Sequence, residues 1–178
     1  VWLARTIERV PDRRIGCLLA KQLNDELGGG DAERIHSLLL ERFVDALAQR
    51  RPEGVNESTL AAGQQLGREF GARFQSGEPY EGVGALVVSE IFAKKMDNWL
   101  AEELRRQTLL QGDALIWLNL HEDLEVEHAG DSALLARLVP ASGPDFAAAW
   151  RGARLGWKAL VDFLDSLEAL RLTLRTVL

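Results

Sequence analysis

The segment "WLNLHEDLEVEH" carries two of the chain's three histidines, His121 and His128, with four acids between them. At about 100° per residue, His121, Glu125 and His128 fall within about 60° of arc on one side of a helix. Trp117, Leu118, Leu124 and Leu135 flank that arc, and Ala114 and Ser132 continue it. Three polar residues therefore occupy the stripe that an amphipathic helix turns toward its core. Glu122, Asp123 and Glu127 point elsewhere and read as solvated acids. A buried carboxylate between two imidazoles is costly unless a cation or a full set of hydrogen bonds compensates it. The stretch is thus either a hydrogen-bonded His-Glu-His network or a metal site. Imidazole and carboxylate suit iron, manganese and zinc.

The third histidine, His36, lies in "DAERIHSLLLERF" and shares a helical face with Ala32, Leu39, Leu40 and Phe43. Glu33 precedes it by three, giving a second Glu-x-x-His beside Glu125-x-x-His128. Two such pairs, with a carboxylate from each of two further helices, form the ligand pattern of di-iron helical bundles. Two further carboxylates stand out. Glu90 interrupts the apolar run "GVGALVVSEIFA" and is either a ligand or the partner of Lys94 one turn on. Glu26 shares a face with Ile15, Leu19 and Leu23, and is either a ligand or a solvated helix-terminal acid. Every histidine then lies on an inward stripe with a carboxylate in reach. Gly82, Gly84 and Ala85 either leave room beside Glu90 for a small molecule or allow close helix packing.

These residues need helices to position them, and the whole chain reads helical. "DRRIGCLLAKQLNDEL" repeats apolar residues at three and four and stops at Gly28-Gly29-Gly30. Asp31 is placed to cap a second helix, "AERIHSLLLERFVDALAQ", which ends before Pro52. "NESTLAAGQQLGREFGARF" is a third, and "SGEPYEG" a turn cluster. A fourth helix is predicted from about Gly82 to Leu110, and a fifth from about Ala114 to Val139. Ser142 caps a last one with Pro144 in its first turn, kinked near Gly152 or Gly156. No useful strand alternation, repeat or low-complexity segment occurs. An all-α multi-helix bundle follows, a single domain over residues 1–178 with the polar cluster in its core.

The remaining composition narrows the classes. At 178 residues and 47% apolar, the chain can bury a real core. The net charge of −6 and the lack of a basic patch argue against nucleic acid as a partner. No apolar run nears the ~20 residues of a membrane span. Cys17 is the only cysteine, so no internal disulfide forms and a reducing, cytoplasmic location is expected. Beside Leu18 and Leu19, it reads as a small buried hydrophobe. The chain begins at Val1 with no signal-peptide pattern, and N-terminal residues are expected to precede it. The tryptophans read as core or interface packing. No Ser/His/Asp set, P-loop or dinucleotide fingerprint is present.

The spacing His121-x3-Glu125-x2-His128 resembles the third-helix signature of the heme-oxygenase-like diiron oxidases, usually His-x3-Asp-x2-His. "NDELGGGDAERIH" resembles their earlier acidic, glycine-rich, histidine-ending segment. Glu90 falls where that family keeps a middle glutamate. The similarity runs from Asp12 onward and is strongest to the CADD-like branch, which includes uncharacterised cyanobacterial members. It implies a bundle of about seven helices holding two non-heme irons on Glu26, His36, Glu90, His121, Glu125 and His128. His36 and His121 would hold one iron with an early carboxylate, Glu26 or Glu33. Glu125 and His128 would hold the other, with Glu90 bridging or nearby. The resemblance also implies O2 as co-substrate and oxidation of a small amine, amino acid or fatty acid. Glu at position 125, where Asp is usual, reaches one methylene further. Two other readings stay open: a heme- or cofactor-binding protein of the same fold, and a helical interaction module. A homodimer is compatible with all three.

Overall fold

A computed structural model describes residues 2–48, 57–106 and 112–177. Seven α-helices follow one another among the described residues: α1 (Trp2–Arg9), α2 (Arg13–Glu26), α3 (His36–Ala48), α4 (Glu57–Gln75), α5 (Pro79–Arg106), α6 (Ile116–Leu138) and α7 (Gly143–Val177). The described residues contain no strand. None of these helices is long and apolar enough to cross a membrane.

The caps explain several boundaries. Asp12 opens α2, its side chain accepting the Arg14 N–H at 2.8 Å. Hydrogen bonds from the Arg14 side chain and backbone hold the Asp12 carboxyl down at about 2. The α3 boundary differs from the expected one. Asp31 does cap, accepting from the Glu33 N–H at 2.9 Å, but it caps a short 3-10 turn over Ala32–Arg34. The chain is extended again at Ile35, and the α-helix begins only at His36. Pro79 opens α5 three residues earlier than Gly82, because proline suits a helix's first turn. The predicted end of that helix, residues 107–110, lies outside the described residues.

Helix α5 is the axis of the bundle and packs chiefly on α7 and α6. Its close fit to α7 rests on glycine. A Cβ on Gly84 would collide with the backbone of Ala149, and one on Gly152 with the backbone of Glu81. Gly152 is therefore a packing position, whereas a Cβ on Gly156 would meet only ordinary contacts, and α7 runs unbroken through both over 35 residues. The same contacts settle the two readings of the small residues on α5. Gly82 faces Thr6 and Phe74, and Gly84 faces α7, so both admit neighbouring helices rather than a small molecule beside Glu90. At the α4–α5 junction the buried Glu81 carboxylate binds Arg73 at 2.9 Å, the Ser76 hydroxyl at 2.8 Å and Arg151 at 3.4 Å, tying α7 to both.

The apolar interior has two parts. One joins Ile15 and Leu19 of α2, Val83 and Leu86 of α5, Leu135 of α6 and Ala149 and Leu160 of α7. The other joins Phe43 of α3, Ala101 and Leu104 of α5 and Leu118 of α6. Three expectations about burial change. Cys17 is exposed, since it lies two residues from both Ile15 and Leu19 and so on the opposite side of α2. Leu40 is exposed while Leu39 and Phe43 are buried, because the inward stripe of α3 is narrower than the run of leucines. Of the tryptophans expected in the core or at an interface, Trp99, Trp150 and Trp157 stand exposed, outside the core. Replacing Gly152 by alanine must push α7 off α5. We expect a loss of roughly 3 kcal/mol in urea unfolding; an unchanged midpoint would show that the two helices have slack.

Candidate metal centre

The two apolar cores are separated by a polar layer, and four helices each contribute to it at the level where they pass from one core to the other. On α6, Leu135 belongs to the first core and Leu118 to the second, with His128 and His121 between. On α5, Leu86 and Ala101 bracket Glu90 and Asp97 in the same way. Helix α2 leaves the first core through Leu19 and ends at Glu26, while α3 starts at His36 and enters the second core at Phe43. All three histidines are buried: His36 is 4% exposed, His121 8% and His128 3%.

Glu26, His36 and His121 each offer one ligand atom, and these atoms all lie within 4.8 Å of one another. Bonds of ~2 Å to a common metal would set them roughly 3–4 Å apart, so only a small contraction is needed. The His36 and His121 rings have centroids 4.9 Å apart and are tilted by 58°. Hydrogen bonding selects the state of His121. Its Nδ1 lies 2.7 Å from the Trp117 carbonyl, which can only accept, so Nδ1 carries the proton. The Nε2 lone pair is then left for a metal, the arrangement in which a second partner fixes the ligand tautomer. Burial depresses the His121 pKa, and the neighbouring His36 adds to this against the opposing Trp117 carbonyl; the ring is accordingly neutral at pH 7. Trp117 itself packs on both Phe43 and His121 and holds the ring in place.

Glu26 Oε2 stands 3.2 Å from His36 Nδ1. The contact is short but poorly aligned, and Nδ1 of His36 is a buried nitrogen without a hydrogen-bond partner. Burial pushes the Glu26 carboxyl up, but His36, and less strongly His121 and His128, outweigh it and lower the pKa overall. An ionised carboxylate, a neutral imidazole with its lone pair directed inward, and an orphaned imidazole nitrogen fit a divalent cation. They fit a self-sufficient hydrogen-bond network poorly. Glu33, the other early carboxylate, is 78% exposed at its side chain and binds Arg42 at 2.7 Å, away from this cluster. The glycine turn brings Glu26 back onto His36. Gly28 has φ +82° and its Cα lies so near the backbone of Arg34 and Ile35 that a Cβ would clash, so only glycine closes the turn there.

A second cluster adjoins the first. His128 Nδ1 lies 3.4 Å from Glu90 Oε2, and its Nε2 lies 3.6 Å from Asp25 Oδ2. Glu90 thus faces His128 across α5 and α6. The backbone of Glu125 is helical within α6, but its side chain lies outside what the structure describes. A cavity of about 560 Å³ reaches both clusters. Glu26 and Glu90 line it together with Ser37 and the apolar side chains of Trp2, Leu3, Leu23, Leu27 and Ile35.

Sequence reasoning missed three polar residues of the layer. Asp25 lies one position before Glu26 on a different face of α2, and nothing local distinguishes it. Gln22 is 2% exposed, with neither its amide nitrogen nor its oxygen partnered, one turn before Glu26. Asp97 is 9% exposed, two turns after Glu90 on the same face, a heptad spacing that could have revealed it.

Fold and layer together define an all-α protein with a buried histidine–carboxylate cluster of metal-binding type. A family model described as iron-containing redox enzyme matches residues 1–161, and the chain belongs to that family. Its bundle is of the heme-oxygenase-like kind. No curated protein matches the chain.

Burial, and then the negative charge of Glu90, push the Asp97 carboxyl up to about 6 from an ordinary 3.8. The folded state therefore binds the extra proton between those values, and stability falls as pH rises through that window. The penalty is absent below about pH 4 and complete above about pH 6. In metal-free protein, Asp97→Asn is expected to raise unfolding stability at pH 7 by about 1–2 kcal/mol, allowing for partial solvent screening. The gain should vanish at pH 4. An equal gain at both pH values would refute the assignment.

Proposed function

We propose that the protein is an O2-activating non-heme diiron oxidase or oxygenase acting on a small organic substrate with an apolar portion. Glu26, His36 and His121 hold one iron. Glu90 and His128, with Glu125 from the same helix as His128, hold the other. The observation that carries this reading is the convergence of the half-buried Glu26 with the buried His36 and His121 beside an apolar cavity. Two ferrous ions bound there would supply electrons to O2 and an oxidant for a nearby C–H or N–H bond.

The chain's own residues account for the rest. Carboxylates and imidazoles tolerate both ferrous and ferric charge, and carboxylates can shift between terminal and bridging modes. The Trp117 carbonyl keeps His121 in the one tautomer that can donate to a metal. Leu23, Leu27 and Ile35 make the wall of the cavity beside Glu26 and Glu90 apolar, and the same side chains would seat the apolar part of a substrate. The His36 and His121 ring centroids are 4.9 Å apart, too close for a macrocycle between them, so a heme here would hang on a single histidine and leave the other imidazole and Glu26 without a role.

Anaerobic loading with ferrous iron is expected to give about two ions per chain. Oxygen consumption should then follow with one member of a panel of amines, amino acids and fatty acids. Glu26→Gln should lose at least one iron, whereas Glu33→Gln should keep both. Absence of iron uptake by the wild-type chain, or a Soret band with stoichiometric heme, would sink the proposal.

A further inference from the structure

His128 is buried between two carboxylates, one at each ring nitrogen: Glu90 at 3.4 Å from Nδ1 and Asp25 at 3.6 Å from Nε2. A neutral imidazole has one N–H and one lone pair. It can donate to one carboxylate only, and at the other nitrogen a cation, either a second proton or a metal ion, must lie between the lone pair and the carboxylate. The surroundings say which edge is which. Glu90 lines the large cavity together with Glu26, the carboxylate of the first cluster, so the Nδ1 edge faces the side where both clusters meet. Asp25 lines a separate, smaller pocket of about 140 Å³ with Gly28, Gly29, Arg34 and the other edge of the first cluster, His36, but not with Glu90 or Glu26. The Nε2 edge therefore faces away from Glu90 and toward a carboxylate that can accept its proton.

We propose that Asp25 is the positioning residue of the second iron: it accepts the Nε2–H of His128 and so presents Nδ1 to a metal shared with Glu90. The inference rests on the diiron reading above. Asp25 and Glu26 are consecutive, about 100° apart on the last turn of α2, and so cannot aim at one point. One helix end thereby serves both clusters, Glu26 toward His36 and Asp25 toward His128. The two clusters also differ in what orients their α6 imidazole. For His121 it is a neutral backbone carbonyl, and for His128 an acid. A carboxylate acceptor makes the imidazole a stronger donor, and loss of such a partner typically weakens metal binding 10- to 100-fold. At 3.6 Å the Asp25 contact is longer than a formed hydrogen bond, so the proposal requires it to shorten when the metal is bound.

The test is an anaerobic ferrous titration by equilibrium dialysis of the wild-type chain, Asp25→Asn, Asp25→Glu and the exposed control Glu41→Gln. Asp25→Asn should weaken one of two binding steps by roughly 10- to 100-fold and leave the other within about twofold. Asp25→Glu should recover part of the loss, and the control should match wild type. Nitrogen-15 NMR of histidine-labelled, zinc-loaded wild-type protein provides a second readout that does not depend on a variant folding. His128 should show a protonated Nε2 and a metal-bound Nδ1. Two wild-type irons with both steps unchanged in Asp25→Asn, or a metal on Nε2, would overturn this inference and leave the diiron reading standing. A wild-type chain that takes up no iron would overturn both.

Discussion

The structure turns on the cost of keeping three buried imidazoles beside several partly buried carboxylates between two apolar cores. Each of these groups gives up water on folding, and a carboxylate or imidazole without a partner in that environment costs several kcal/mol. In the proposed reading the layer is stabilised because its members meet a shared positive charge. Burial keeps His121 neutral at pH 7, and Glu26, its pKa lowered beside His36, is ionised there. Those are the protonation states in which both groups are ligands. Four helices must present one level to the same point, and the bundle is constrained to satisfy that requirement before any other.

Glycine makes the constraint achievable. Gly84 and Gly152 let α5 and α7 approach backbone to backbone, which sets the position of the helix that carries Glu90 and Asp97. Gly28 folds the chain back so that Glu26 and His36, ten residues apart, face each other across a turn instead of along a helix. Packing and site are thus one problem. The buried Glu81, held by Arg73, Ser76 and Arg151, anchors the start of α5 and keeps the register that places Glu90 opposite His128.

The layer is also two-sided. Toward Trp2, Leu3 and Ile35 it meets an apolar cavity with Glu26 and Glu90 at its floor. Toward Gly28 and Arg34 it meets a small polar pocket beside Asp25 and His36. An apolar approach on one side and a hydrogen-bonding surround on the other are what the proposed metal centre would need for a substrate and for its supporting acids.

Much of this was legible in the sequence, because helical periodicity is a local property. The spacing of His121, Glu125 and His128 put two imidazoles on the inward stripe of α6, and both are buried there. The leucines around His36 turned it inward, and the apolar run around Glu90 marked that acid as unusual. Relations across space were not legible. Glu33 is nearer to His36 along the chain than Glu26 is, and the simpler helical spacing belongs to it. Only the reversal at Gly28 brings Glu26 inward and leaves Glu33 with Arg42. Asp25 carries no local signal, since its role depends on a histidine on another helix. Cys17 and Leu40 looked buried by their neighbours, yet each lies off its helix's inward face. Local pattern decides which side of a helix is apolar; which helix that side meets, and at what height, is decided by packing alone.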